Sequence, residues 1–156
     1  MAEMRVEARG EAKPDATPVG PASRVLVVDD EPDILSSLHD LLEATLDAEV
    51  VTARSGPEAL EIVKRTAVDL VLSDYKMPGM DGIEFLARMH SRAPDVPRVL
   101  ITAFPDQHVA IQAINEAHVE SFLTKPFDAG QVVRISHALL AARRLAKASP
   151  AAPSAS

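Results

Sequence analysis

Five polar residues of chemical interest stand at or just past short apolar runs in this sequence. Asp29 and Asp30 follow Val25-Leu26-Val27-Val28, and Asp74 comes just after the run Val68-Asp69-Leu70-Val71-Leu72. Thr102 follows Val99-Leu100-Ile101, and Lys125 follows Ser121-Phe122-Leu123-Thr124. Crowded carboxylates repel one another and hold raised pKa values unless a cation sits among them. All-oxygen donors favour a hard divalent ion such as Mg²⁺, which keeps several waters and uses one or two carboxylates plus phosphate oxygens. A carboxylate is also a nucleophile toward phosphorus and can form an aspartyl phosphate. Phosphoryl transfer asks the protein mainly to position the group and neutralise its equatorial oxygens. A divalent ion, the Lys125 ammonium, the Thr102 hydroxyl and backbone N–H groups are the right tools for that.

Such chemistry requires the fold to bring these residues together. The first run is short and valine-rich, as expected of a strand buried on both faces. Pro32 then suits the first turn of a helix over 32–46, whose apolar stripe is Ile34, Leu35, Leu38, Leu41 and Leu42. Residues 49–53 read as a second strand, and Ser55-Gly56-Pro57 starts a helix with Ala59, Leu60 and Val63 inward. Residues 68–72 form a third strand leading to Asp74. Asp81 is placed to cap a helix over 82–92, which Pro94 and Pro97 stop. A fourth strand over 99–101, a helix over 106–117, a fifth strand over 121–124 and a helix over 128–146 complete the chain. Strand and helix alternate throughout, which predicts an α/β fold of βαβ crossovers, with a parallel sheet and helices on both faces. Ligands of such sheets bind outside the carboxyl ends of the strands. Parallel strands therefore put Asp29, Asp30, Asp74, Thr102 and Lys125 on one rim.

The 156 residues suffice for one domain with a real core. A net charge of −7 disfavours direct nucleic-acid binding, which needs a basic face. The absence of cysteine excludes disulfides and thiolate metal sites. No stretch has the roughly 18 consecutive apolar residues of a membrane span. The opening residues carry charges of both signs and no apolar core, unlike a signal peptide, so a cytoplasmic protein is expected. Residues 1–23 and 148–156 are poor in apolar periodicity and are expected to be disordered, leaving 24–147 as the folded unit. The basic stretch Arg143-Arg144-Leu145-Ala146-Lys147 is read as favouring the last helix's C-terminus through its dipole. The five histidines, on separate elements, read as surface residues.

The segments VLVVDDEPDIL, DLVLSDYKMPGMDGIEFL, VLITA and FLTKPF, in that order, resemble the receiver domain of two-component response regulators over residues 24–146. The resemblance implies a flavodoxin-like, doubly wound five-stranded parallel sheet in the order 2-1-3-4-5. It implies that Asp74 is the phosphoacceptor, that Asp30 and Asp74 ligate Mg²⁺ or Mn²⁺ directly, and that Asp29 acts mainly through water. The backbone carbonyl of Lys76 completes the metal set. Lys125 pairs with the phosphoryl group, Thr102 swings to bond it, and Phe122 is the switch aromatic that turns inward with Thr102. The Lys125-Pro126 bond is expected to be cis. His118 stands where the family commonly has glycine, so a positive φ is expected there. Lys76 and Phe104 flank the path of the hydrolytic water, which suggests slow autodephosphorylation.

The implied function is a signalling switch rather than an enzyme acting on a substrate. A sensor histidine kinase or phosphotransfer protein phosphorylates it, and its helix 4–strand 5–helix 5 face then engages a downstream protein or a second copy. The competing reading, a small-molecule phosphatase with an aspartyl nucleophile, needs an acid two residues past Asp74, where Lys76 stands. A nucleotide- or flavin-binding module needs a glycine-rich loop where Asp29-Asp30-Glu31-Pro32 stands.

Overall fold

The computed structural model describes residues 23–103 and 106–148. Five strands alternate with five helical segments: β1 (Ser23–Val28), α1 (Pro32–Thr45), β2 (Ala48–Ala53), α2 (Gly56–Arg65), β3 (Leu70–Asp74), α3 (Gly82–Arg92), β4 (Arg98–Thr102), α4 (Gln107–Gln112), β5 (Ser121–Thr124) and α5 (Ala129–Ala148). The strands form one parallel sheet in the order β2-β1-β3-β4-β5, as the resemblance implied.

Alternate residues of each strand feed two cores. Leu26, Val28, Val71 and Leu100 point to the face covered by α2, α3 and α4, where Ala59, Phe85, Leu86, Met89 and Val109 pack on them. Val25, Val27, Leu70, Leu72, Val99 and Ile101 point to the face covered by α1 and α5, against Leu35, Leu38, Leu42, Val132 and Leu140. Each fully buried aliphatic side chain contributes about 1.5–3 kcal/mol, so both faces stabilise the sheet. The helix starts are capped locally: Ser55, Asp81 and Asp106 accept hydrogen bonds from the N–H groups of Glu58, Glu84 and Val109.

The sequence expectations shift in a few places. β1 begins at Ser23 and α5 ends at Ala148, each one residue beyond the expected folded span. Residues 1–22 and 149–156, expected to be disordered, lie outside the described residues, as does Phe104. The third strand runs through Asp74 itself, because its ladder with β4 continues to the pair Asp74 and Ile101. The helix expected over 106–117 changes character after Gln112: Ala113–Ala117 form a π-helical turn that ends at His118, in the left-handed region at φ 52°.

Opposite the acid-bearing rim, the amino-terminal end of the sheet is closed by cations. Arg98, 2% exposed, donates from Nε to the Ala117 carbonyl (3.0 Å) and from its two Nη atoms to the carbonyls of Pro94, Val96 and His118. Arg143 and Lys147 meet Asp69 Oδ1, each at 3.3 Å, while Arg144 donates to Ser23 Oγ (2.9 Å) and the Asp47 carbonyl (2.9 Å). Lys147 lies in the last turn of α5, as expected of a residue that favours the helix end, and the basic stretch also fastens α5 to the sheet. His90 and His118 also depart from a plain surface role: their rings stack with centroids 4.0 Å apart.

Candidate functional site

β1 leads into the rim at Asp29, whose N–H donates to the Ala53 carbonyl (3.1 Å) and so carries the ladder one residue past the strand. Its Oδ1 accepts the N–H of Glu31 (2.9 Å). Glu31 is the capping residue of α1, with Pro32 following and no side-chain cap bond. Neither Asp29 nor Asp30 is therefore the cap, and their carboxylates are left for the cleft.

Asp74 ends β3 only 5% exposed. The backbone around it is pinned: Tyr75 N–H donates to the Ile101 carbonyl (2.8 Å), and Ser73 Oγ donates to the Asp74 carbonyl (2.9 Å). The chain turns through Gly79 at φ +78° and returns so tightly that a Cβ on Gly82 would lie 2.1 Å from the Asp74 carbonyl oxygen. Glycine at 82 is a steric requirement for α3 to start against the Asp74 peptide.

Lys125 enters from the end of β5, where its N–H donates to the Thr102 carbonyl (3.1 Å) and its bond to Pro126 is cis. Its Nζ lies 2.9 Å from Asp29 Oδ2, 3.2 Å from Asp74 Oδ1 and 3.3 Å from Glu31 Oε1. Asp29, Asp30 and Asp74 each place a carboxylate oxygen within 4.8 Å of the others. Burial, then the charge of Asp29, pushes the Asp74 carboxyl up to about 6, against the opposing pull of Lys125. Burial also raises Asp29, outweighing the Glu31 N–H and the Lys125 ammonium. For Lys125 burial disfavours the charge, but its hydrogen bond and charge contact with Asp29, and then Asp74, outweigh burial and raise its pKa.

This is a cluster with more negative charge than its one ammonium neutralises, built from oxygen donors only. Those properties fit a hard divalent cation. Thr102 closes β4 at 2% exposure, one residue past the partner of Asp74 and beside Thr124 of β5. Phe122 is half-buried on β5, pairs with Leu100 and packs on the core shared with α2–α4. Lys76 is exposed in the loop after Asp74, beside an open cleft of about 340 Å³ lined by Tyr75, Lys76, Met77, Pro78 and Asp81. That cleft adjoins the acids without including them.

Sequence reasoning brought Asp29, Asp30, Asp74, Thr102 and Lys125 to one rim, and the fold places them there. It missed Glu31 as a partner of Lys125. The signal was present: an acid two residues past Asp29, on the turn into α1, faces the same cleft.

Residues 25–136 match the family model described as the response regulator receiver domain. The chain is 40% identical over 109 residues to the transcriptional regulatory protein GlrR of Escherichia coli K12, covering 68% of this chain and 23% of that protein. It is 38% identical over 105 residues to the hydrogenase transcriptional regulatory protein HoxA of Cupriavidus necator, covering 66% and 21%. The chain thus spans about a fifth to a quarter of the length of these curated relatives. Among solved structures, the signal receiver domain of an HD domain-containing protein from Pseudomonas fluorescens Pf-5 superposes with a TM-score of 0.78 at 32% identity, covering 85% of this chain and 97% of that one.

Proposed function

The chain belongs to the response regulator receiver domain family, and on that premise we propose that Asp74 accepts a phosphoryl group from a sensor histidine kinase or phosphotransfer protein. The observation that carries this reading is the Asp29–Asp30–Asp74 cluster with Lys125 Nζ 3.2 Å from Asp74 Oδ1. One carboxylate oxygen of Asp74 supplies the electron pair that forms the O–P bond. The P–N bond of the donor phosphohistidine breaks, and its pair returns to the imidazole, which takes up a proton. Asp30, Asp74 and the Lys76 backbone carbonyl would hold Mg²⁺ or Mn²⁺, with Asp29 acting through water. When bound, the ion neutralises the crowded acids and the phosphoryl oxygens. Lys125 is already oriented by Asp29 and Asp74 and would follow the new charge. Thr102, at the end of the neighbouring strand, would bond the phosphoryl group and free space for Phe122 to turn inward. In this reading the acyl phosphate acts as a ligand that shifts a two-state equilibrium of the α4–β5–α5 face.

The names of GlrR and HoxA favour transcriptional control as the output. It would be exercised through a protein target, further segments or a second copy, since a net charge of −7 does not suit direct DNA contact by this unit. Among the described residues no helix is long and apolar enough to cross a membrane, and a cytoplasmic site of action suits a kinase donor. The test is acetyl-phosphate labelling with Mg²⁺ read by intact mass. Wild type should gain one phosphoryl mass and Asp74→Ala none; an unlabelled wild type overturns the reading.

A further inference from the structure

α2 and α3 lie side by side on one face of the sheet and leave an open groove of about 550 Å³ between them. Its apolar surface comes from Pro57 and Leu60 of α2 and from Met80, the residue before the α3 cap. The Met80 side chain crosses the first turn of α2 so closely that a Cβ on Gly56 would lie 2.6 Å from its sulfur. The groove's cations are Lys64, Arg88 and Arg92. Lys64 pairs with Glu61 at 2.9 Å and Arg88 with Glu84 at 3.1 Å, within their own helices and at exposed positions. Pairs of that kind are weak and are readily given up to a new partner. Arg92 is exposed and has no ion pair among the described residues.

We propose that this groove is a docking site for an acidic amphipathic helix of a partner protein. Three cations and one acid line it in a chain whose net charge is −7, so the local sign is opposite to that of the whole. Two parallel ridges with an apolar floor and polar rims are the shape into which a third helix lays its apolar face. A methionine in the floor adapts its unbranched side chain to what it meets. Nucleic acid fits poorly, because a phosphate backbone offers no apolar face to Pro57, Leu60 and Met80. Since Met80 belongs to the loop that follows Asp74, the docked helix touches the segment that leads from that residue into α3.

The test uses the full chain, ¹⁵N-labelled, and a synthetic helical peptide with leucines at helical spacing separated by glutamates. A second peptide carries lysine in place of each glutamate. The acidic peptide should shift the amides of Leu60, Lys64, Met80 and Arg92, and the lysine peptide should not. Arg88→Glu with Arg92→Glu, both at exposed positions, should weaken the acidic peptide at least about ten-fold in Kd and allow the lysine peptide to bind. Shifts centred elsewhere, equal shifts from both peptides, or an unchanged Kd in the double variant overturn the proposal. So does an oligonucleotide that moves the same amides as strongly as the acidic peptide.

Discussion

Lys125 and Arg98 are cations set at opposite ends of the same sheet, and their surroundings differ in kind. Arg98 is almost wholly buried among four backbone carbonyls, with Glu120 at 3.5 Å, and the guanidinium fork is used in full. Its partners are four neutral carbonyl dipoles and a single carboxylate, that of Glu120. Lys125 is ringed by Asp29, Glu31 and Asp74, with Asp30 beside them, so one ammonium faces an excess of carboxylates. The amino-terminal end of the sheet commits its cations to carbonyls, a hydroxyl and Asp69, and serves stability. The carboxyl end is left with excess negative charge, which costs stability and which, in the proposed function, a divalent cation would relieve.

The sharpest way to break this comparison is Arg98→Met. It strands several buried carbonyls at about 1–3 kcal/mol each, so urea unfolding should show a loss of roughly 3–5 kcal/mol. Mg²⁺ affinity should not change, and a large fall in it would erase the distinction between the two ends.

Next comes Asp74→Asn. The folded Asp74 holds its proton up to about 6, above the ordinary 3.8, so it favours the folded state most below 3.8 and that contribution is lost as pH rises past about 6. The difference is worth roughly 3 kcal/mol. In metal-free buffer the Asn variant should therefore be more stable than wild type at neutral pH by up to that amount, and the gap should vanish near the ordinary carboxylate pKa. Chemical denaturation across this pH range checks it. Mg²⁺ should restore wild type and leave the variant nearly unmoved.

Smaller again is the effect on signal lifetime. Lys76→Asn combined with Phe104→Ala should speed decay of the phosphorylated protein about ten-fold, or 1.36 kcal/mol of barrier. An unchanged decay rate would remove these residues from the account. The smallest effect belongs to Lys147→Ala at the closed end. Its contact with Asp69 is 60% exposed on the lysine side, and the loss should stay within about 0.5 kcal/mol and disappear at high salt.

The rim was legible from the sequence because parallel strands convert position in the chain into position in space: a polar residue just past an apolar run is a residue on the rim. Asp29, Asp74, Thr102 and Lys125 all followed from that rule. Arg98 did not, since a lone arginine before a strand reads as solvent-exposed. The carbonyls it binds at Ala117 and His118 belong to a turn about twenty residues on, whose shape no periodicity announces. The π-helical turn over Ala113–Ala117 was hidden for the same reason, because one widened turn leaves the apolar spacing nearly intact. His90 and His118 looked unrelated in sequence because only the packing of α3 on that turn stacks them.

The contact between Arg144 and Ser23 has a practical consequence. It brings the first described residue of the sheet and the last turns of α5 to one pole of the molecule, opposite Asp74. A fluorophore placed at Ser23 or on the last turn of α5 is therefore carried on the far side from the acids. Tethering the protein through those two positions should leave the rim open to approach, and two labels placed there would report on the Arg144–Ser23 contact rather than on the site.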